Sequence, residues 1–291
     1  MSILVIGGPT ATGKSSLAFA LAKEWNAVIV SADAMTVYRD LNIGTAKPTQ
    51  QELEEIQHFC VDIRNIDQEF TVGDFVDIVD QVTLKHPRVI IAGGTPYYLN
   101  ALFRPMAPLP PGNAELRSRL ERIADPYARL QEIDPVIAEK LHPNDKVRII
   151  RALEVFEITG RPMSVVQKDP PKRKPLQAKI FWLDHDNLRE RIGQRIEKMM
   201  AEGYLEECEQ IIDQGWNLRE KPLVSFSYRF LLQHLQGELT LKEALEKTEI
   251  GTWHLARKQR IWGRNIGWPI HHLATAHTEA FSWIKRNNQL E

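Results

Sequence analysis

The chain has 291 residues, 43% apolar and 26% charged, a globular composition long enough for one large domain or one domain carrying an inserted lobe. Its 37 Lys and Arg against 38 Asp and Glu give a net charge of −1, which excludes a protein that is basic overall but not one with a local basic face for nucleic acid. Two distant cysteines, Cys60 and Cys208, exclude a disulfide scaffold and a cysteine zinc site and point to a reducing cytoplasm.

In chain order, short Val- and Ile-rich runs alternate with helical periods. Ile3–Ile6, Ala27–Val30, Phe59–Ile63, Val89–Ala92 and Lys179–Leu183 read as strands. They do not alternate with polar residues, as expected of parallel strands covered on both faces. Ser15–Glu24, Thr49–Gln57 and Asp74–Leu84 read as helices between them. This order predicts an α/β fold, a doubly wound, mostly parallel sheet of the phosphate-loop type. The Pro-rich stretch after Leu102 is a linker by composition, and only helical periods follow from Asn113 to about Gln167. A second breaker, Lys168 to Pro175, contains the basic cluster Lys172-Arg173-Lys174. The expected organisation is a core of 1–104 and 176–291, with a helical lobe inserted at 105–175. No apolar run nears the roughly 20 residues that span a bilayer. The apolar start, Met1 to Ile6, is too short for a signal peptide.

Gly8-Pro9-Thr10-Ala11-Thr12-Gly13-Lys14-Ser15 matches G-x-x-x-x-G-K-[ST] between a strand and a helix. Glycines let the backbone wrap a polyphosphate, and its N–H groups face the anion. Lys14 neutralises phosphate charge and Ser15 is the expected ligand for Mg²⁺. Phosphate-loop ATPases also carry an Asp at the end of an apolar strand to hold the metal. Here the strand Val89–Ala92 ends in Gly93-Gly94-Thr95, and the carboxylate instead follows the second strand, at Asp33.

Ligands of open α/β sheets bind outside the carboxyl ends of the strands. The phosphate loop, Asp33 and Gly93-Gly94-Thr95 are therefore expected around one cleft. Position leaves two readings for Asp33, a general base facing an acceptor or a helix N-cap. It leaves two for Gly93-Gly94 as well, a tight turn or a site element, with Thr95 a cap in the former case.

Several segments in order carry a family resemblance: Gly8–Ser15, Ser31–Asp33 through Val37–Arg39, Ile43–Pro48, Gly93-Gly94-Thr95, His142–Asp145 with Arg148, Arg151–Val155, Thr159-Gly160, Arg191 to Arg195, and Thr252 to Arg264. The chain resembles the tRNA dimethylallyltransferases. The resemblance implies transfer of a dimethylallyl group from dimethylallyl diphosphate to the exocyclic amine of the adenine 3′ of a tRNA anticodon, without ATP consumption. By matched position, Asp33 is implied as general base, Thr95 as a residue between diphosphate and adenine, and Arg195 as a diphosphate clamp. Thr10 to Ser15 would contact the donor, and the strip Asp33, Ala34, Met35 and Thr36 would read the adenine. Arg117, Val147–Arg151 (Arg148 and Arg151 among them), Val224–Arg229 and Arg257–Arg264 (with Lys258 and Gln259) match tRNA-contacting stretches. The implied partners are the tRNA anticodon stem-loop and the prenyl donor, with Mg²⁺, in a cytoplasmic monomer.

Five departures from the family pattern stand out: Ala34 to Thr36 where Ser, a variable residue and Gln are usual, Ser227 for Gly, Trp253 for Arg, Gly263 for a bulky apolar residue, and Pro96 after the Gly-Gly-Thr run. They bear on RNA affinity rather than on the diphosphate site, and they motivate a competing reading as a diverged RNA-binding homologue with weak catalysis. An adenylate isopentenyltransferase acting on free nucleotide and a small-molecule kinase are further alternatives.

Three sets of basic residues fall at helical spacing: Arg257, Arg260 and Arg264; Arg191, Arg195 and Lys198; Arg148 and Arg151. The first and third are expected to meet RNA phosphates. Trp253, Trp262 and Trp268 are expected to pack, and the nine histidines show no metal-ligand spacing.

Overall fold

The computed structural model describes residues 2–171 and 173–288. Lys172 of the basic cluster lies outside them. The chain forms two compact units, Met1–Leu102 with Gln177–Glu291, and Phe103–Leu176.

The elements run β1 (Ser2–Gly7), α1 (Lys14–Trp25), β2 (Val28–Ser31), α2 (Gln50–Glu55), β3 (His58–Phe59), α3 (Val72–Lys85), β4 (Arg88–Gly93) and α4 (Pro96–Phe103). Then come α5 (Ala114–Leu120), α6 (Pro126–Ile133), α7 (Pro135–Ala138), α8 (Lys146–Thr159) and α9 (Met163–Val166). The chain closes with β5 (Lys179–Asp184), α10 (Leu188–Ala201), α11 (Tyr204–Asp213), α12 (Arg229–Leu235), α13 (Leu241–Ile266), β6 (Ile270–His272) and α14 (Leu273–Asn288).

The first unit is an α/β layer structure around a six-stranded sheet of order β3-β2-β4-β1-β5-β6, with every pairing parallel. Leu4, Ile6, Ile29, Ile90 and Phe181 from the strands pack with Leu17, Leu21 and Trp25 of α1 and with Ala276, Ala280 and Ile284 of α14. These helices cover one face; Ile3, Val5, Val30, Val89 and Ile91, at the alternate positions, are buried as well, which is why the strands read as continuous apolar runs. Two strands differ from the sequence expectation. The run Phe59–Ile63 yields only His58–Phe59, because Cys60 and Asp62 take φ of 60° and 54°, outside the β region. The edge strand Ile270–His272 was not anticipated; three residues give too little pattern to read.

Side-chain caps set the helix starts. Thr71 with Asp74, and Thr240 with Glu243, form capping boxes for α3 and α13. Along its 26 residues, α13 buries Ala244, Thr248, Gly251, Ala256, Gln259 and Gly263. This stripe of mostly small side chains lets neighbouring elements lie close to the helix.

The second unit is all helix. Leu120, Leu130, Ile137, Ile149, Ile150 and Leu153 form its core. Buried Asp134 caps α7 through the Ile137 N–H at 3.1 Å and accepts the Ser164 N–H at 2.7 Å, so one carboxylate fixes two helix starts. Glu154 is 0% exposed. It accepts from Asn113 N–H at 2.6 Å, from Arg117 Nε at 2.9 Å and from Arg151 Nη1. Burial pushes this carboxyl's pKa up, but the Asn113 N–H and the two guanidiniums outweigh it and hold the group below the ordinary carboxylate range.

Candidate active site

The loop after β1 is shaped for an anion. Gly8 and Gly13 have φ of 145° and 90°, and Ala11 takes a left-handed 63°. An L-side chain at Gly13 would be strained. Gly13 starts α1 with no side-chain cap among the described residues, which leaves first-turn N–H groups for a ligand. Thr12 is buried and its hydroxyl donates to Pro9 C=O at 2.9 Å, closing the loop on itself. Lys14 Nζ donates to the same carbonyl at 2.5 Å. Its pKa is lowered from 10.5 to about 7, first by burial and then by the Arg195 charge, with Asp33 opposing.

From α10, Arg195 Nη1 donates to Thr10 Oγ1 at 3.0 Å, and Arg191 Nε donates to Ala11 C=O at 2.7 Å. Sequence spacing placed these arginines on one face; it did not indicate that Arg191 grips the loop backbone. From α13, Gln259 accepts from Thr10 N–H at 2.9 Å and donates to Gly94 C=O at 2.6 Å. It thus bridges the loop after β1 and the turn after β4.

The strip after β2 is tied to that same turn. Ala32 N–H donates to Ala92 C=O at 2.8 Å and Thr95 N–H to Ala32 C=O at 3.1 Å. A Cβ on Gly93 would lie 2.2 Å from the Ala32 oxygen, so glycine is required for this approach. Thr95 Oγ1 accepts from Ala34 N–H at 3.1 Å, which leaves the hydroxyl proton for another acceptor. Thr95 precedes α4, yet its hydroxyl serves the strip rather than the helix. Asp33 is not a helix cap: its Oδ1 accepts Met35 N–H at 2.8 Å within a turn, and Oδ2 has no partner among the described residues. These groups line one cavity of about 1630 Å³ with Lys14, Ser15, Arg195 and Tyr204.

Several residues expected to face RNA are placed otherwise. Thr36 is 5% exposed, and its hydroxyl is engaged by Ser31 Oγ at 2.9 Å and Cys60 C=O at 3.3 Å. Its hydroxyl braces the strip, and it lines the cavity together with Ala34 and Met35. Gln259 is 7% exposed and its amide is used at both ends, so it orders the site. Arg117 and Arg151 are drawn onto Glu154, and Arg151 also donates to Pro110 C=O at 2.6 Å. Arg260 leaves the exposed face expected for it and donates to Asp184 Oδ1 at 2.8 Å and His185 C=O at 2.8 Å. Exposed basic residues remain at Arg148, Arg229, Arg257, Lys258 and Arg264. Trp268 packs on Trp182 with ring centroids 5.0 Å apart, whereas Trp262, expected to pack, is 41% exposed.

Glu207 of α11 gave no signal in the sequence. Its carboxylate accepts the N–H groups of Asn42, Ile43 and Gly44 at 2.8, 2.7 and 3.1 Å, plus the Tyr228 hydroxyl at 2.8 Å. It anchors the 42–48 segment that forms another wall of the cavity. Lys47, nearly all buried, ties that segment to Tyr38 C=O, Asn42 and Asp62.

Compared with known proteins, residues 36–266 match the IPP transferase family. The chain belongs to this family. A tRNA dimethylallyltransferase from Thermoanaerobacter sp. (strain X514) is 37% identical over 278 residues, covering 90% of this chain and 88% of that protein. One from Synechococcus sp. is 38% identical over 274 residues, covering 90% and 87%. Among solved structures, the tRNA isopentenylpyrophosphate transferase of Staphylococcus epidermidis aligns with a TM-score of 0.65 at 26% identity, over 99% of this chain and all of that one. A eukaryotic dimethylallyltransferase acting on tRNA aligns with a TM-score of 0.75 at 26% identity, over 90% and 70%.

For this member of the IPP transferase family, the structure gives a reason for glycine at position 263. A Cβ there would lie 2.2 Å from the Trp182 indole nitrogen, and one on Gly7 2.5 Å from the same ring. The Trp182 ring of β5 fills the space that a side chain at position 263 would need. Trp253 packs partly buried against Ile192, Ile196 and Ala256. Nothing in the structure explains Ser227 in place of glycine.

Proposed function

We propose that the chain transfers a dimethylallyl group from dimethylallyl diphosphate to the exocyclic amine of the adenine 3′ of a tRNA anticodon. The observation that carries this reading is the convergence of a cationic phosphate loop, closed by Lys14 and Arg195, with the Asp33–Thr95 strip at the next strand ends. No helix among the described residues is long and apolar enough to cross a membrane. We place the enzyme in the cytoplasm, acting as a monomer.

The phosphate-loop N–H groups, Lys14 and Arg195 hold the donor's diphosphate. Ile43, Ile196, Met199 and Leu255, which also line the cavity, offer apolar cover for a five-carbon chain. The adenine leaves its stack, at a cost of a few kcal/mol, and meets the strip of Asp33, Ala34 and Met35. Its amine nitrogen forms a bond to the allylic carbon as the carbon–oxygen bond to diphosphate breaks. The bonding electron pair departs onto the diphosphate, where the cations stabilise it. The amine proton passes to Asp33 Oδ2, and Thr95 donates its hydroxyl proton to whichever oxygen or ring nitrogen lies between the two substrates.

Magnesium fits this donor set. Among the described residues no group of three or more His, Cys, Asp or Glu is placed to hold a metal, and Mg²⁺ characteristically takes one or two protein ligands and completes its shell with phosphate and water. Ser15, which lines the cavity in the first turn of α1, would hold it there and supply charge neutralisation at the diphosphate. Arg148, Arg229, Arg257, Lys258 and Arg264 would contact tRNA phosphates and give salt-dependent affinity.

The test is transfer of label from dimethylallyl diphosphate, with Mg²⁺, to unmodified tRNA, with AMP as a parallel acceptor and ATP as a control donor. Label on tRNA alone is expected. Label on AMP, or tRNA binding without turnover, would overturn the reading.

A further inference from the structure

Tyr204 and Tyr228 stand edge to face, ring centroids 5.8 Å apart, and both are buried. Their hydroxyls are treated differently. Tyr228 donates to Glu207 at 2.8 Å. Tyr204, 1% exposed, has a hydroxyl with no hydrogen-bond partner among the described residues. A buried hydroxyl left unpaired has lost its hydration with nothing in return, and a phenylalanine would fill the same volume without that cost. The hydroxyl therefore needs an explanation from outside the protein.

Its place supplies one. Tyr204 opens α11 and lines the same cavity as Lys14, Arg195 and Asp33. The ring is held on both sides, against Tyr228 and against the backbone of Gly44, where even a Cβ would come within 2.5 Å of it. Burial pushes the phenol's pKa well up, with the nearby Arg195 cation opposing, so the group stays protonated and can only donate or accept a neutral hydrogen bond. A rigid, buried, protonated donor beside an arginine suits an anionic oxygen.

We propose that the Tyr204 hydroxyl is a further binding donor for the diphosphate of the prenyl substrate, completing the clamp begun by Arg195 and Thr10. This rests on the prenyl-transfer reading for the identity of the ligand, but the donor itself can be tested on inorganic diphosphate alone. A hydrogen bond to a charged acceptor is among the stronger ones, and it strengthens as negative charge gathers on the leaving group.

The experiment is calorimetric titration of the full chain with magnesium diphosphate, comparing wild type, Tyr204→Phe and Arg195→Ala, with thermal melts of the free proteins. Tyr204→Phe should bind diphosphate about tenfold more weakly and melt at a higher temperature, because the orphaned hydroxyl is gone. Opposite signs for affinity and stability are the signature of a group kept for a ligand. In turnover, KM for the prenyl donor should rise while KM for tRNA stays. Unchanged diphosphate affinity in Tyr204→Phe overturns the inference. So does a joint loss of affinity and melting temperature, which would assign the hydroxyl to the fold. If wild type binds diphosphate through Tyr204 but transfers no prenyl group to tRNA, the donor site stands and the transferase reading falls.

Discussion

Two charged clusters of this chain are mirror images in their chemistry. At the loop after β1, Lys14, Arg191 and Arg195 donate to Pro9 C=O, Ala11 C=O and Thr10 Oγ1, and no carboxylate forms an ion pair with them among the described residues. The Lys14 pKa drops to about 7 as a consequence of burial and of its cationic neighbour. In the helical unit, Arg117 and Arg151 converge on Glu154, which has the Asn113 N–H as well. There the anion is built in, and the carboxyl is held low. A cation cluster short of an anion is prepared for a ligand, while a saturated one is prepared for folding. Arginine at helical spacing describes both equally well, so the partner and not the residue type decides the role.

The largest expected effect tests the chemistry that the open cluster supports. Asp33→Ala should lower turnover about 10²- to 10⁴-fold, the range for a positioned general base, with tRNA binding retained in a gel-shift titration. Equal turnover would remove Asp33 as the base.

Arginine deletion in the two clusters sharpens the contrast. Arg195→Ala should raise KM for the prenyl donor about 10- to 100-fold, the loss expected for hydrogen bonds to a charged group. Arg151→Ala should leave that KM alone and lower the urea midpoint. The comparison breaks if steady-state kinetics show the two variants alike in donor dependence.

Glu154→Gln should destabilise the protein by roughly 1–3 kcal/mol, since two guanidiniums and an N–H lose a charged acceptor. The same group predicts an acid limit. Its folded pKa lies below the unfolded value, so its contribution is complete above about pH 4.3 and fades as acid carries the solution through the folded value. Denaturant midpoints against pH should show this fall in wild type and a flatter curve in the variant.

The smallest effect is a proton count. Free Lys14 is largely neutral above about pH 7, and a bound diphosphate restores its charge. Binding at pH 8.5 should therefore take up protons, and affinity should weaken as pH rises from about 7 toward 10.5. Titrations in buffers of different ionisation enthalpy measure the uptake, and Lys14→Met should abolish most of it.

Much of the site was legible because its signals are local. The loop from Gly8 to Ser15 needs glycines and a lysine at fixed offsets, and Asp33 and Thr95 follow directly on strand ends. The 42–48 segment was visible as a motif, but its anchor was not. Glu207 lies 165 positions from Asn42 in the chain and sits in a helix whose other acidic residues look the same. Gln259 was readable as part of a basic run, and its bridging role appeared only when α13 crossed two strand ends. Trp262 and Arg260 show the same limit: helical periodicity says which residues share a face, not which face a neighbouring element covers.

An α/β sheet with helical cover, a phosphate loop and a carboxylate beside it follow from local sequence, because periodicity, turn chemistry and motif offsets act over a few residues. Folding alone sets which charges are left open and which are paired, which face of α13 is buried, and that a tyrosine hydroxyl in the cavity has no partner among the described residues. Those properties depend on desolvation and on hydrogen-bond partners brought together from distant parts of the chain, and neither is encoded at any fixed spacing.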